Sequence, residues 1–175
     1  MRTLVVIGLL IGFGVSASAQ QSDSQTKAQA LAATFNKHKN VVKEKHGVRM
    51  EKFKDVRAEP VVKPSVAEYT GVYEVSGLGY LINIQVSSDG SILANGHERG
   101  QQFRLENARI EGALLTASKV YQDGTIDRFE GVFLNRTERS SPTAPVVTVF
   151  GLGVGLSKPV EIDGNTYERM FYHLK

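Results

Sequence analysis

The run Gly151-Leu152-Gly153-Val154-Gly155 has glycines spaced as in a backbone that lets amides approach a phosphate. Such loops lead into a helix whose N-terminus supplies the positive end of a dipole. Here Leu156-Ser157-Lys158-Pro159 follows, and Pro159 is incompatible with that helix, so the run reads as a flexible strand connection or a bulged edge. The histidines are His38, His46, His97 and His173, and only the first two are close in sequence. Their spacing, with Gly47 beside the second, is poor for two ligands on one ion, and solvent-facing helix positions explain them better. His97 falls in a polar stretch, Gly96-His97-Glu98-Arg99-Gly100, that reads as a turn. No metal site and no cofactor are expected.

Carboxylates are plentiful, but a catalytic pair must converge on one cavity, which order along the chain does not show. The one charged pair in an informative position is Arg128 and Glu130. Alternation places them with Ile126, Val132 and Leu134 on one face of a strand, and Phe129 and Phe133 on the other. Facing a barrel interior, they would hold the polar end of a ligand; facing out, they form an ordinary surface pair. The outward reading is favoured because Phe129 and Phe133 have the stronger claim on burial. There is no Gly-x-Ser-x-Gly elbow, no cysteine and no Ser-x-x-Lys box with supporting partners, so no catalytic residue is assigned.

The elements that would position these residues fall into four segments. Residues 1–19 carry Arg2, an apolar run from Leu4 to Val15 too short to span a bilayer, and an Ala17-Ser18-Ala19 cleavage site, which is the order of a secretory signal. Residues 20–57 are rich in Ala, Lys, Gln and Glu, without proline, and read as a basic helical arm. Its thin apolar stripe passes through Leu31, Phe35 and Val42, then Met50, Phe53 and Val56, with a break near Gly47. Residues 58–68 contain Pro60 and Pro64 among valines and read as an extended linker or a loosely docked edge segment.

From residue 69 to 175 the period changes to two. Tyr80, Ile82, Ile84 and Val86 make one apolar row, and the Asp89-Gly90, Asp123-Gly124 and Asp163-Gly164 pairs punctuate runs that read as strands. Eight or nine short strands with no room for crossover helices imply an all-β domain. It is expected to be an antiparallel up-and-down barrel or flattened sandwich of about eight strands. An outer-membrane barrel is disfavoured, since several of these strands are shorter than the roughly 9–11 residues such strands need. Charge divides with the segments: residues 22–57 hold nine Lys or Arg against four acids, whereas 58–175 hold eleven against fourteen. An exported chain without cysteine takes its stability from packing rather than disulfides.

The opening Tyr69-Thr70-Gly71-Val72-Tyr73, the alternating strands with Asp-Gly turns and the closing aromatic strand resemble the small lipocalin-like β domains of exported bacterial proteins. Some of these are appended to serine-hydrolase-like enzymes and others stand alone. The resemblance covers residues 69–175 and implies an up-and-down barrel with an apolar interior, without catalytic residues to carry over.

Together these features lead to a periplasmic or secreted, non-enzymatic binding or accessory protein, its partner a small apolar ligand or an envelope protein. Two alternatives stand beside it. One is a small hydrolase or isomerase with a barrel-mouth site near Arg128 and Glu130. The other is an interaction protein that uses its basic arm, with Lys37, Lys43, Arg49 and Lys52 as contact candidates. Nucleic acid is not an expected partner. Membrane-surface contact through the arm is not favoured, because a helix with so thin an apolar face is a weak membrane binder.

Overall fold

In the computed structural model the described residues are 15–45, 48–75, 79–98, 100–155, 160–162, 165–167 and 169–174, of which 15–20, 37–45, 48–54, 160–162, 165–167, 169 and 172 are described by backbone alone. The chain begins with α1 (Val15–Ala33), followed by a hairpin of β1 (Lys37–Lys45) and β2 (Val48–Pro60) and a short 3-10 turn (Val66–Tyr69). Strands β3 (Gly71–Val75), β4 (Tyr80–Val86), β5 (Ile92–Glu98), β6 (Gln101–Glu111), β7 (Leu114–Tyr121), β8 (Ile126–Arg139) and β9 (Val147–Val154) then follow as an antiparallel meander. A small separate hairpin of β10 (Val160–Ile162) and β11 (Asn165–Tyr167) leads into β12 (Arg169–His173).

β12 joins β9 on one side and β3 on the other, so β3 to β9 and β12 form a nearly closed, eight-stranded barrel-like sheet. The closing seam is short, pairing Tyr172 with Glu74 and His173 with Tyr73. The all-β expectation holds, and a helix does precede the barrel.

Two of the Asp-Gly turns form as their chemistry requires. Asp89 accepts from the Ser91 amide and Asp123 from the Thr125 amide, while Gly90 and Gly124 take φ of 83° and 85°. The Asp163-Gly164 turn lies outside the described residues, as do Gly47 and Pro159. One interruption was not anticipated. Asn107 adopts φ 54° where the β6–β7 register slips between Glu106 and Arg109, moving the inward phase from Phe103 and Leu105 to Ala108 and Ile110.

The basic arm is helical only in its first half. The helix closes in a tight turn through Thr34, Phe35 and Asn36. Asn36 Oδ1 then accepts the Ala58 amide at 2.7 Å, which seats the chain against β2. Beyond it, residues 37–60 form the β1–β2 hairpin rather than helix. Two physical causes override the helix-forming composition. The β-branched Val41, Val42, Val48 and Val56 suit a strand. In addition, β7 pairs with β8 only as far as Val132, leaving the 134–139 stretch of β8 in need of backbone partners. Residues 55–60 of β2 supply them, from Asp55 opposite Arg139 to Pro60 opposite Leu134. Ala58 is buried in this strand instead of lying in a linker, and Pro60 is accommodated at the strand's last position.

Candidate functional site

The barrel interior is taken up by its own side chains. Inward positions carry Tyr73, Ile82, Ile84, Phe103, Leu105, Leu115, Phe129, Phe133, Leu152 and Phe171, all buried. Tyr69 closes one end: its ring stacks on Phe133 at 4.1 Å between centroids, its single hydroxyl proton is shared between the carbonyls of Val61 and Gly112, and its oxygen accepts the Lys63 amide. Tyr73 donates in turn to the Tyr69 carbonyl at 2.7 Å. Burial pushes both phenols up, so they stay protonated donors at any physiological pH.

Toward the other end the interior turns polar at one point. Glu98 of β5 and Lys119 of β7 form a buried ion pair, and the Lys119 ammonium lies 4.2 Å from the Phe103 ring centroid and 4.8 Å from that of Tyr121. Sequence reasoning passed over this pair. Its signal was phase: Lys119 is in step with Leu115, Ala117 and Tyr121, and Glu98 with Ala94 and Gly96. Reaching Glu98 also required β5 to continue through the stretch read as a turn, which it does as far as Glu98. His97 is therefore a strand residue, its Nδ1 3.1 Å from the Gly79 carbonyl oxygen.

Arg128 and Glu130 pair with each other on the outer face of β8, with Arg128 75% exposed. They are at neither the interior nor a convergent mouth, and a barrel-mouth catalytic site built on them has no support in this geometry. Among the described residues no group of three His, Asp or Glu side chains converges as a metal site would require. Ser24 and Lys27 do have Ser-x-x-Lys spacing. Lys27, however, pairs with Asp23 at 2.8 Å on the exposed side of α1, while Ser24 donates to Glu111, so the lysine does not serve the serine.

The glycine run is a regular strand, β9, and its glycines are a seat for other elements. A Cβ on Gly153 would stand 2.7 Å from the Phe35 ring and 3.0 Å from Leu134, and one on Gly155 would stand 3.1 Å from Leu31. A Cβ on Gly151 would stand closer still, 2.2 Å from the Phe171 carbonyl oxygen of β12. Side chains are missing where α1 must lie flat on the outside of the barrel. Its docked face is Ser24, Ala28, Leu31, Ala32 and Phe35, set against Ala58, Ala113, Leu114, Val132, Leu134 and Met170.

Beside this seam a groove of about 550 Å³ lies between the helix, residues 60–62 and the β6–β7 turn, with Ser24, Ala28 and Ala113 in its lining. Gln21, Gln25 and Gln29, one helical turn apart, line one wall, while Pro60, Val62, Glu111 and Gly112 line the other. Its volume lies in the range of small-molecule sites.

The arm residues Lys37, Lys43, Arg49 and Lys52 lie in the β1–β2 ladder. Lys37 stands opposite Val56, Lys43 opposite Met50, Arg49 opposite Glu44 and Lys52 opposite Val41. Their side chains lie outside the described residues. No protein-family model, curated protein or solved structure matches the chain.

Proposed function

We propose that this is an exported, non-catalytic binding or accessory protein on a lipocalin-like barrel, whose ligand seat is the groove between α1 and the barrel's outer surface. The observation that carries this reading is the contrast in occupancy. The interior is taken up by rings and branched aliphatics, while the α1 groove is of ligand size and mixes apolar surface with hydrogen-bonding groups. Glutamine carboxamides both donate and accept, and Glu111 is the charged residue of the lining. This chemistry suits a small neutral or cationic molecule with one apolar face. Export is supported by the leader-like residues 1–19. The docked face of α1 begins at Ser24, so cleavage after Ala19 leaves the seam whole.

A thermal-shift panel of small molecules against residues 20–175 tests the proposal, with Gln25→Trp as the occluded control. Gln25 is exposed, so the indole fills the groove without entering packed structure. At about a hundredfold excess over Kd a true ligand adds about 2.7 kcal/mol, which reads as a rise of several degrees in wild-type Tm. That rise should be absent in the variant. A panel to which nothing binds, or to which both proteins respond alike, would overturn the groove as the seat.

A further inference from the structure

We infer that the sheet of β2, β8 and β9 beyond the barrel carries a second seat, distinct from the α1 groove, for a small organic carboxylate. β8 pairs with β7 only as far as Val132, and its 134–139 stretch lies between β2 and β9. Alternation gives this three-stranded patch two faces. Ala58 and Leu134 belong to the side packed under α1. On the other side, in step with Phe133 of the barrel interior, stand Asp55, Arg57, Thr137 and Arg139. With Val146 these four line a cavity of about 280 Å³.

The charges of this cavity do not satisfy one another. Asp55 stands directly opposite Arg139, the place for a stabilising cross-strand ion pair, yet among the described residues the Arg139 guanidinium pairs with no carboxylate. Asp55 instead lies 3.8 Å from Arg57 Nε, beyond hydrogen-bond length, which leaves the Arg57 donors open as well. Arg104 and Arg136, by contrast, meet carboxylates at 2.5 and 2.7 Å. Arg109 also lacks a carboxylate, but it is exposed and water serves it, whereas Arg139 is half-buried. A half-buried charge without a counter-charge is costly, and an incoming anion offsets that cost. The rest of the lining selects the anion. Guanidinium forks match the paired oxygens of a carboxylate, and the Thr137 hydroxyl is a further donor. Two arginines against one aspartate leave a single positive charge, so a monoanion is matched and a dianion is repelled by Asp55. Val146, 49% exposed, offers an apolar wall to a short carbon chain.

The test is an NMR titration of the isotope-labelled protein with butyrate, acetate, sulfate and chloride at constant ionic strength, read at the arginine Nε–H signals. Butyrate should shift the Arg57 and Arg139 signals saturably and bind about threefold or more tighter than acetate, its extra carbons lying on Val146. Arg139→Gln should weaken butyrate about tenfold or more. Arg139→Lys keeps the charge but loses the fork and should weaken it as well. Arg104→Gln removes equal charge outside the cavity and should leave the affinity within about twofold. Asp55→Asn should tighten sulfate more than butyrate, since it lifts the repulsion that a dianion feels most. An amide spectrum unchanged away from each substitution shows that the variant is folded. Shifts that never saturate and match those of chloride, an affinity untouched by Arg139→Gln, equal weakening by Arg104→Gln, or sulfate bound more tightly than butyrate would each overturn the inference.

Discussion

The barrel interior and the seam beneath α1 are both buried and apolar, yet rings dominate the first and alanines and glycines are concentrated in the second. Inside, the space is occupied by large side chains: Tyr69, Tyr73, Phe103, Phe129, Phe133 and Phe171. Outside, Ala28, Ala32, Ala58 and Ala113 share the contact with Leu31, Leu114, Val132, Leu134 and Met170, Phe35 is the one ring, and Phe35 and Leu31 sit over Gly153 and Gly155. The difference follows from geometry. A small barrel encloses a volume that side chains must fill, whereas a helix laid on a sheet needs side chains removed if the two backbones are to come close. A consequence for function is that binding space borders the seam, where the small residues Ser24, Ala28 and Ala113 line the groove.

The contrast can be broken most sharply from the inside. Phe133→Ala should cost about 3–5 kcal/mol, read by chemical denaturation, because Phe133 is completely buried between Tyr69 and Tyr73. Lys119→Ala should cost about 3 kcal/mol by removing the counter-charge of buried Glu98, while Lys119→Met combined with Glu98→Leu should recover most of that loss. Recovery would show the pair to be a tolerated polar inclusion rather than a net source of stability.

At the seam, Gly153→Val should cost about 1–3 kcal/mol by driving Phe35 off the strand. Amide exchange should then speed up in α1 while β3–β8 keep their protection; uniform loss would mean that the two cores are one cooperative unit. Arg128→Ala should change stability by less than about 0.5 kcal/mol, in keeping with an exposed pair. The smallest effect is at the hairpin turns. Backbone amides of Ser91 and Thr125 hold the Asp89 and Asp123 carboxyls below the usual range. Their contribution is present above the ordinary carboxylate value and is lost as pH falls through the lowered ones, which an NMR titration of the two turns would reveal.

The barrel was legible in sequence because its signals are local. Period-two rows such as Tyr80 to Val86 and the Asp-Gly pairs mark strands and turns without reference to any partner. The outward orientation of Arg128 and Glu130 followed equally from the claim of Phe129 and Phe133 on burial. The hairpin was not legible, because its cause is non-local: Lys, Glu and Ala favour helix, and the unpaired stretch of β8 that recruits β2 lies some eighty residues further along the chain. The glycine run was legible as part of a strand rather than a phosphate loop, but not as a docking seat. Spaced glycines say that something comes close, and only the fold shows that it is Phe35 and Leu31 of this chain rather than a phosphate. The groove inherits that illegibility, since its walls come from α1, residues 60–62 and the β6–β7 turn.

Native mass spectrometry of the protein, purified gently from its own host beside the Gln25→Trp variant, tests the seat most directly. The expected result is a small molecule retained by the wild type and lost from the variant, with the two proteins equally stable. A molecule retained equally by both would place the ligand elsewhere, and a wild type that carries nothing would contradict a binding role for the groove.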